Sequence, residues 1–110
     1  MYINLNKKEV LATEMFLDNY SDLTLDGEFN RKQLELLNNL MDTFNELART
    51  ADKLKDDEMI LQIGITKPLV IFLSKMFDYY NDGNEEIYLN IIGMNREELF
   101  ALFDKFKEVN

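Results

Sequence analysis

The distribution of apolar residues along the chain has helical rhythm in four stretches. Leu34, Leu37, Met41, Phe44 and Ala48 recur at alternating intervals of three and four residues, a one-sided stripe that predicts a helix over residues 30–54 with its stripe in the core. Residues 6–20 and 95–109 also read as helices, with ends defined to within about 3 residues. Residues 66–81 differ: Leu69, Val70, Ile71, Phe72, Leu73, Met76 and Phe77 surround almost the whole helix. Such a helix is either the most enclosed element or one face of an oligomer.

The residues at the predicted helix starts support this division independently. Asn6 with Glu9, Asn30 with Gln33, and Asn95 with Glu98 have the spacing of a capping box. There the Asn side chain and the third helical side chain each satisfy an otherwise unpaired backbone N–H. Thr66 can cap the remaining helix, with Pro68 tolerated in its first turn. An apolar residue precedes each cap and can staple to one five positions later: Leu5 to Val10, Phe29 to Leu34, Ile65 to Val70, Met94 to Leu99.

Between the helices, residues 59–65 and 86–92 are rich in Ile and suit short strands, and residues 2–5 and 23–25 are weaker strand candidates. A shift of sixty residues superposes Ile3, Lys7, Val10, Asp18, Tyr20 and Asp22 on Ile63, Lys67, Val70, Asp78, Tyr80 and Asp82. A shift of sixty-five superposes Asn30, Arg31, Leu34 and Leu37 on Asn95, Arg96, Leu99 and Leu102. The expectation is one domain over residues 1–110, built of two pseudo-repeats over about 1–55 and 56–110, neither able to bury its apolar face alone. The fold class expected is mainly α: four helices as two helix-connection-helix repeats, with a small β-sheet as the α+β variant.

Composition narrows the function. A length of 110 residues suits one hydrophobic core, and 46% hydrophobic with 30% charged residues is an ordinary globular balance. Without cysteine or histidine the chain lacks a thiol nucleophile, the commonest general base and the usual zinc, haem and iron–sulfur ligands. No cofactor is therefore expected, and a reducing, cytoplasmic setting fits the cysteine count. The first residues have no apolar core of a secretion signal, and the longest apolar run, residues 69–73, is far short of the ~20 needed to cross a bilayer. The net charge of −9 opposes direct contact with nucleic-acid backbones. No phosphate-binding glycine motif is present, and the four glycines stand singly. The expectation is a protein without enzymatic activity.

Three surface features are candidates for binding. Glu14, Asp18, Asp22 and Asp26 recur every fourth residue, with no Lys or Arg between Lys8 and Arg31. On a helix this spacing lines carboxylates along one ridge about 6 Å apart, near the separation of phosphates on a nucleic-acid strand. The ridge therefore reads as a face for a basic partner or, more simply, as a solvated face that keeps the chain soluble. Tyr79, Tyr80 and Tyr88 gather around a turn at residues 81–84 and are expected at the surface, where tyrosine combines contact area with a hydrogen-bonding tip. Ordinary half-buried packing is the commoner reason for tyrosines in such positions.

Residues 22–33 resemble an EF-hand calcium loop. Asp22, Thr24 and Asp26 stand at its first three ligand positions, Gly27 at the sharp turn, Phe29 at the apolar position and Asn30 at the ninth. Gln33 departs from the bidentate glutamate of the twelfth position, which weakens a calcium site, and no metal ligand is assigned. The same residues also read as a tight turn and a helix cap.

In its short length, its richness in Asn, Lys, Glu and Ile, and its Asn-Lys-Lys-Glu opening, the whole chain is similar in style to small accessory proteins of phages and mobile elements from A+T-rich bacteria. That resemblance implies a protein-binding modulator, an inhibitor of a host nucleic-acid-handling or defence enzyme. Its partner would be a protein, such as a basic nucleic-acid-binding enzyme, with no direct contact to nucleic acid or membrane. Two alternatives stand beside it: a structural, assembly or chaperone-like protein that forms a homodimer or larger homo-oligomer through its third helix, and a degenerate EF-hand-like calcium module.

Overall fold

Asn6, Asn30 and Asn95 each start a helix by the reciprocal bonding that their spacing implies. In a computed structural model, which describes residues 1–21, 30–56, 59–77, 86 and 88–108, the Glu9 backbone N–H donates to Asn6 Oδ1 at 2.8 Å. The Asn6 N–H in turn donates to Glu9 Oε1 at 3.0 Å. Asn30 and Gln33 repeat this at 2.9 and 3.0 Å, and Asn95 and Glu98 at 2.8 and 3.3 Å. At the fourth start, the Val70 N–H donates to the Thr66 carbonyl at 3.1 Å. Pro68 occupies the first turn, where its missing N–H has no intrahelical acceptor to lose.

The elements follow in the order β1 (Tyr2–Asn6), α1 (Lys7–Ser21), α2 (Arg31–Asp52), β2 (Ile60–Gly64), α3 (Lys67–Phe77), a π-helical turn (Tyr88–Ile92) and α4 (Arg96–Glu108). The fold is mainly helical with one small antiparallel sheet. In that sheet β1 and β2 pair with Ile3 opposite Ile63 and Leu5 opposite Leu61. Period-two alternation sets the faces: Ile3, Leu5 and Ile63 point into the core, while Tyr2, Asn4, Ile60, Gln62 and Gly64 are exposed. The weaker candidate at residues 2–5 is thus a strand; the one at 23–25 lies outside the described residues.

The core joins the sheet to every helix. Val10, Ala12, Phe16 and Leu17 of α1, Val70, Leu73, Met76 and Phe77 of α3, and Leu99, Leu102, Phe103 and Phe106 of α4 are all buried. At its centre Phe77 stacks on Phe103 with ring centroids 4.1 Å apart, and both rings meet Phe16, at 4.8 and 5.4 Å. Phe106 carries the contact on to Phe44 of α2 at 6.2 Å. Buried hydroxyls bond back one turn along their helices, Thr13 to the Glu9 carbonyl and Ser74 to the Val70 carbonyl, each at 2.8 Å.

Two expectations need correction. In α2 the fully enclosed line is Leu37, Leu40, Phe44, Ala48 and Ala51; Leu34 and Met41 are only half-buried. The helix is rotated slightly from the stripe read in the sequence, because its inward face runs along its contact with α1. The segment at 86–92 is not a strand where it is described: Tyr88–Ile92 forms a single π-helical turn. In a strand Ile87, Leu89 and Ile91 would share one face, but the described residues offer this segment no neighbouring strand to pair with. The turn instead satisfies backbone groups locally, with the Met94 N–H donating to the Tyr88 carbonyl at 2.8 Å. Gly93 ends the turn at φ +75°, a conformation that side chains other than glycine rarely take.

Candidate protein-binding surfaces

Helix α1 turns its apolar side to the core and leaves Glu14 and Asp18, one turn apart, on the side that meets α2. Glu14 is half-buried and Asp18 exposed. Near them on α2 stand Arg49, in its last turn, and Asp52, its final residue, both exposed. Burial raises the Glu14 pKa above its ordinary value, and the negative charges of Asp18 and Asp52 push it further the same way; Arg49 opposes them. Partial desolvation of its carboxyl group beside the helices also raises the pKa of Asp18, although the residue as a whole is exposed. Carboxylates held where their charge is disfavoured gain more from an approaching cation than fully solvated ones do.

Asp22 and Asp26, the continuation of the ridge, lie outside the described residues, as do Tyr79 and Tyr80. Tyr88 is described, and the expectation of an exposed ring there is corrected. It is 2% exposed and ranks among the largest fully buried side chains, because the π-helical turn folds it inward. It is core rather than contact surface. Of the other acidic positions, Asp56 and Glu86 are exposed.

Of the loop resembling an EF-hand, only Asn30 and the residues after it are described. There the Asn30 and Gln33 side chains are both engaged in the capping box of α2. Among the described residues no group of three or more acidic side chains is arranged to hold a metal ion. No helix among them is long and apolar enough to cross a membrane.

One ionic node escaped the sequence reading. Lys105 Nζ on α4 donates to both oxygens of Glu9, at 2.8 and 3.0 Å, and lies 3.2 Å from the Asn4 carbonyl of β1. The Glu9 side chain is 12% exposed against 40% for Lys105. Glu9 thus caps α1 and at the same time anchors α4 and the outer edge of β1. Its role as a cap was legible from three-residue spacing, but nothing local signals a partner 96 positions away.

Two open depressions, each of about 450 Å³, flank the exposed side of the sheet. The first is bounded by Tyr2, Gly64, Thr66 and Leu69, the second by Tyr2, Asn4, Ile60 and Lys105. The Lys105 ammonium in the second is already bonded to Glu9 and Asn4. Comparison with protein-family models, with curated proteins and with solved structures finds no match to this chain.

Proposed function

We propose that the protein is a non-enzymatic binding module whose α1–α2 face, centred on Glu14 and Asp18, engages a basic protein partner such as a nucleic-acid-handling enzyme and modulates it. The observation that carries this reading is the placement of Glu14, half-buried, beside exposed Asp18 and near Asp52 of α2; the raised pKa of Glu14, from burial first and then from the charges of Asp18 and Asp52, agrees with it. A cationic side chain docked on the face would relieve that repulsion. The overall charge of −9 would steer such a partner from a distance, and both effects weaken with salt.

Affinity capture from a lysate of the source organism, at low and at high salt, tests the reading. Wild type should retain a basic protein at low salt and release it at high salt. The double variant Glu14→Lys/Asp18→Lys should not retain it, with isothermal titration of the purified pair showing at least a tenfold weaker Kd. Equal affinity of wild type and variant for that partner would exclude this face.

A further inference from the structure

The two edges of the sheet are finished differently. The Ile65 N–H donates to the Met1 carbonyl at 3.0 Å across the strands. The hydrogen-bonded pairs are therefore the odd-numbered ones, Ile3 with Ile63 and Leu5 with Leu61, and the even-numbered residues turn their backbone groups outward. On β1 two of these outward groups are engaged: the Asn6 N–H donates to Glu9, and the Asn4 carbonyl accepts from Lys105. On β2 they belong to Ile60, Gln62 and Gly64, and no hydrogen bond among the described residues reaches them beyond the sheet.

Natural proteins commonly block a free edge with a lysine, a proline or a bulge, since an open one is a template for another strand. Lys105 is such a block on β1. Residues 59–66, by contrast, contain no charged residue at all, in a chain carrying −9, and Met59 and Ile60 are exposed.

The geometry points to the outer edge of β2 as an interface whose occupant is β2 of a second copy of the chain, paired antiparallel about Gln62. In this register Gln62 faces Gln62 of the second copy and Ile60 faces its Gly64, so all three outward-facing residues exchange backbone hydrogen bonds. Three features favour self-pairing. First, the Tyr2 ring lies 3.6 Å from where a Cβ on Gly64 would stand. An incoming Ile60 beside Gly64 would meet that ring, covering two side chains now 69% and 57% exposed, twice over by symmetry. Second, exposed Asp56 precedes the strand and exposed Lys67 follows it, so antiparallel pairing turns the acidic end of one strand toward the basic end of the other. Parallel pairing would set like beside like. Third, two copies with the same net charge would meet along a segment that carries none.

This inference stands independently of the acidic face. One added strand per copy buries less than a standard interface, so the expected Kd is on the order of micromolar or weaker. Sedimentation velocity over a concentration series, with hydrogen exchange read at Gln62 and Gly64, tests it. The wild type should pass from monomer to dimer as those amides become protected. Ile60→Lys, and separately Gln62→Pro, should weaken dimerisation at least tenfold while keeping the helical circular dichroism. Proline at position 62 removes an outward N–H and leaves the bonds to β1 intact. A wild type monomeric up to about 1 mM would overturn the proposal and leave the edge to a foreign extended peptide. So would a dimer indifferent to both variants, or Gln62 and Gly64 amides equally protected at every concentration.

Discussion

The two halves of the molecule run through similar elements to different surfaces. Each begins with a strand, enters a helix through an asparagine or threonine, and closes with a second helix started by an asparagine capping box. In the first half the strand edge is occupied by Glu9 and Lys105, and the helices carry the carboxylates of Glu14, Asp18 and Asp52. In the second the strand is uncharged, its outer edge lacks hydrogen bonds from the described residues, and a π-helical turn carries a buried tyrosine. A similar order of elements thus leaves the outer chemistry free to diverge, because the core constrains only the inward positions of each element.

The largest effect should come from the point where the halves meet. Phe77 touches Phe16 in one half and Phe103 and Phe106 in the other. Phe77→Ala should lose about 3–5 kcal/mol in urea unfolding, with circular dichroism and tyrosine fluorescence moving together. Separate transitions for the two signals would show that the halves do not share one core.

Next is the node that distinguishes the strand edges. Glu9→Ala removes a partly buried cap together with the acceptor of Lys105, and should lose about 1–3 kcal/mol. The Asn6 amide should also exchange faster. Asn95→Ala removes an exposed cap alone and should lose about 1 kcal/mol. Equal losses in the two variants would mean that Lys105 adds nothing to the first half.

The smallest effect concerns the acidic face. A raised carboxyl pKa means that the folded chain binds the proton more tightly than the unfolded one. Stability therefore falls as pH rises from the ordinary Glu value of 4.5 through the raised folded value, and above that value the charge of Glu14 opposes folding. Glu14→Gln should be more stable than wild type at neutral pH by about 0.5 kcal/mol or less, and the difference should vanish as Glu14 is protonated in acid. Thermal melts at several pH values would show it. A variant less stable than wild type at pH 7 would contradict the pKa direction.

Much of the fold was legible because its signals are local. Capping boxes span three residues, and the period of the apolar stripe identifies a helix over a few turns. The segment at 86–92 misled because Ile87, Leu89 and Ile91 alternate over too short a run to separate strand from helix, and its conformation depends on whether another strand lies beside it. Tyr88 was misplaced for the same reason: the sequence shows a tyrosine near a turn, while only the packed core shows a cavity of its size. Of the candidate site, Glu14 and Asp18 were visible from their spacing. The contributions of Asp52 and Arg49, and the pairing of Lys105 with Glu9, depend on tertiary contact and leave no trace in local sequence.

The claim that the first half supplies the binding face is tested most directly by matched charge reversals on the two halves, measured by titration against the captured partner. Glu14→Lys/Asp18→Lys on α1 and Glu97→Lys/Asp104→Lys on α4 alter net charge equally, and Glu97 and Asp104 are exposed. A binding face on α1 implies at least a tenfold loss of affinity for the α1 pair and less than about threefold for the α4 pair. Equal losses from the two pairs would contradict it, since binding would then follow overall charge rather than a site.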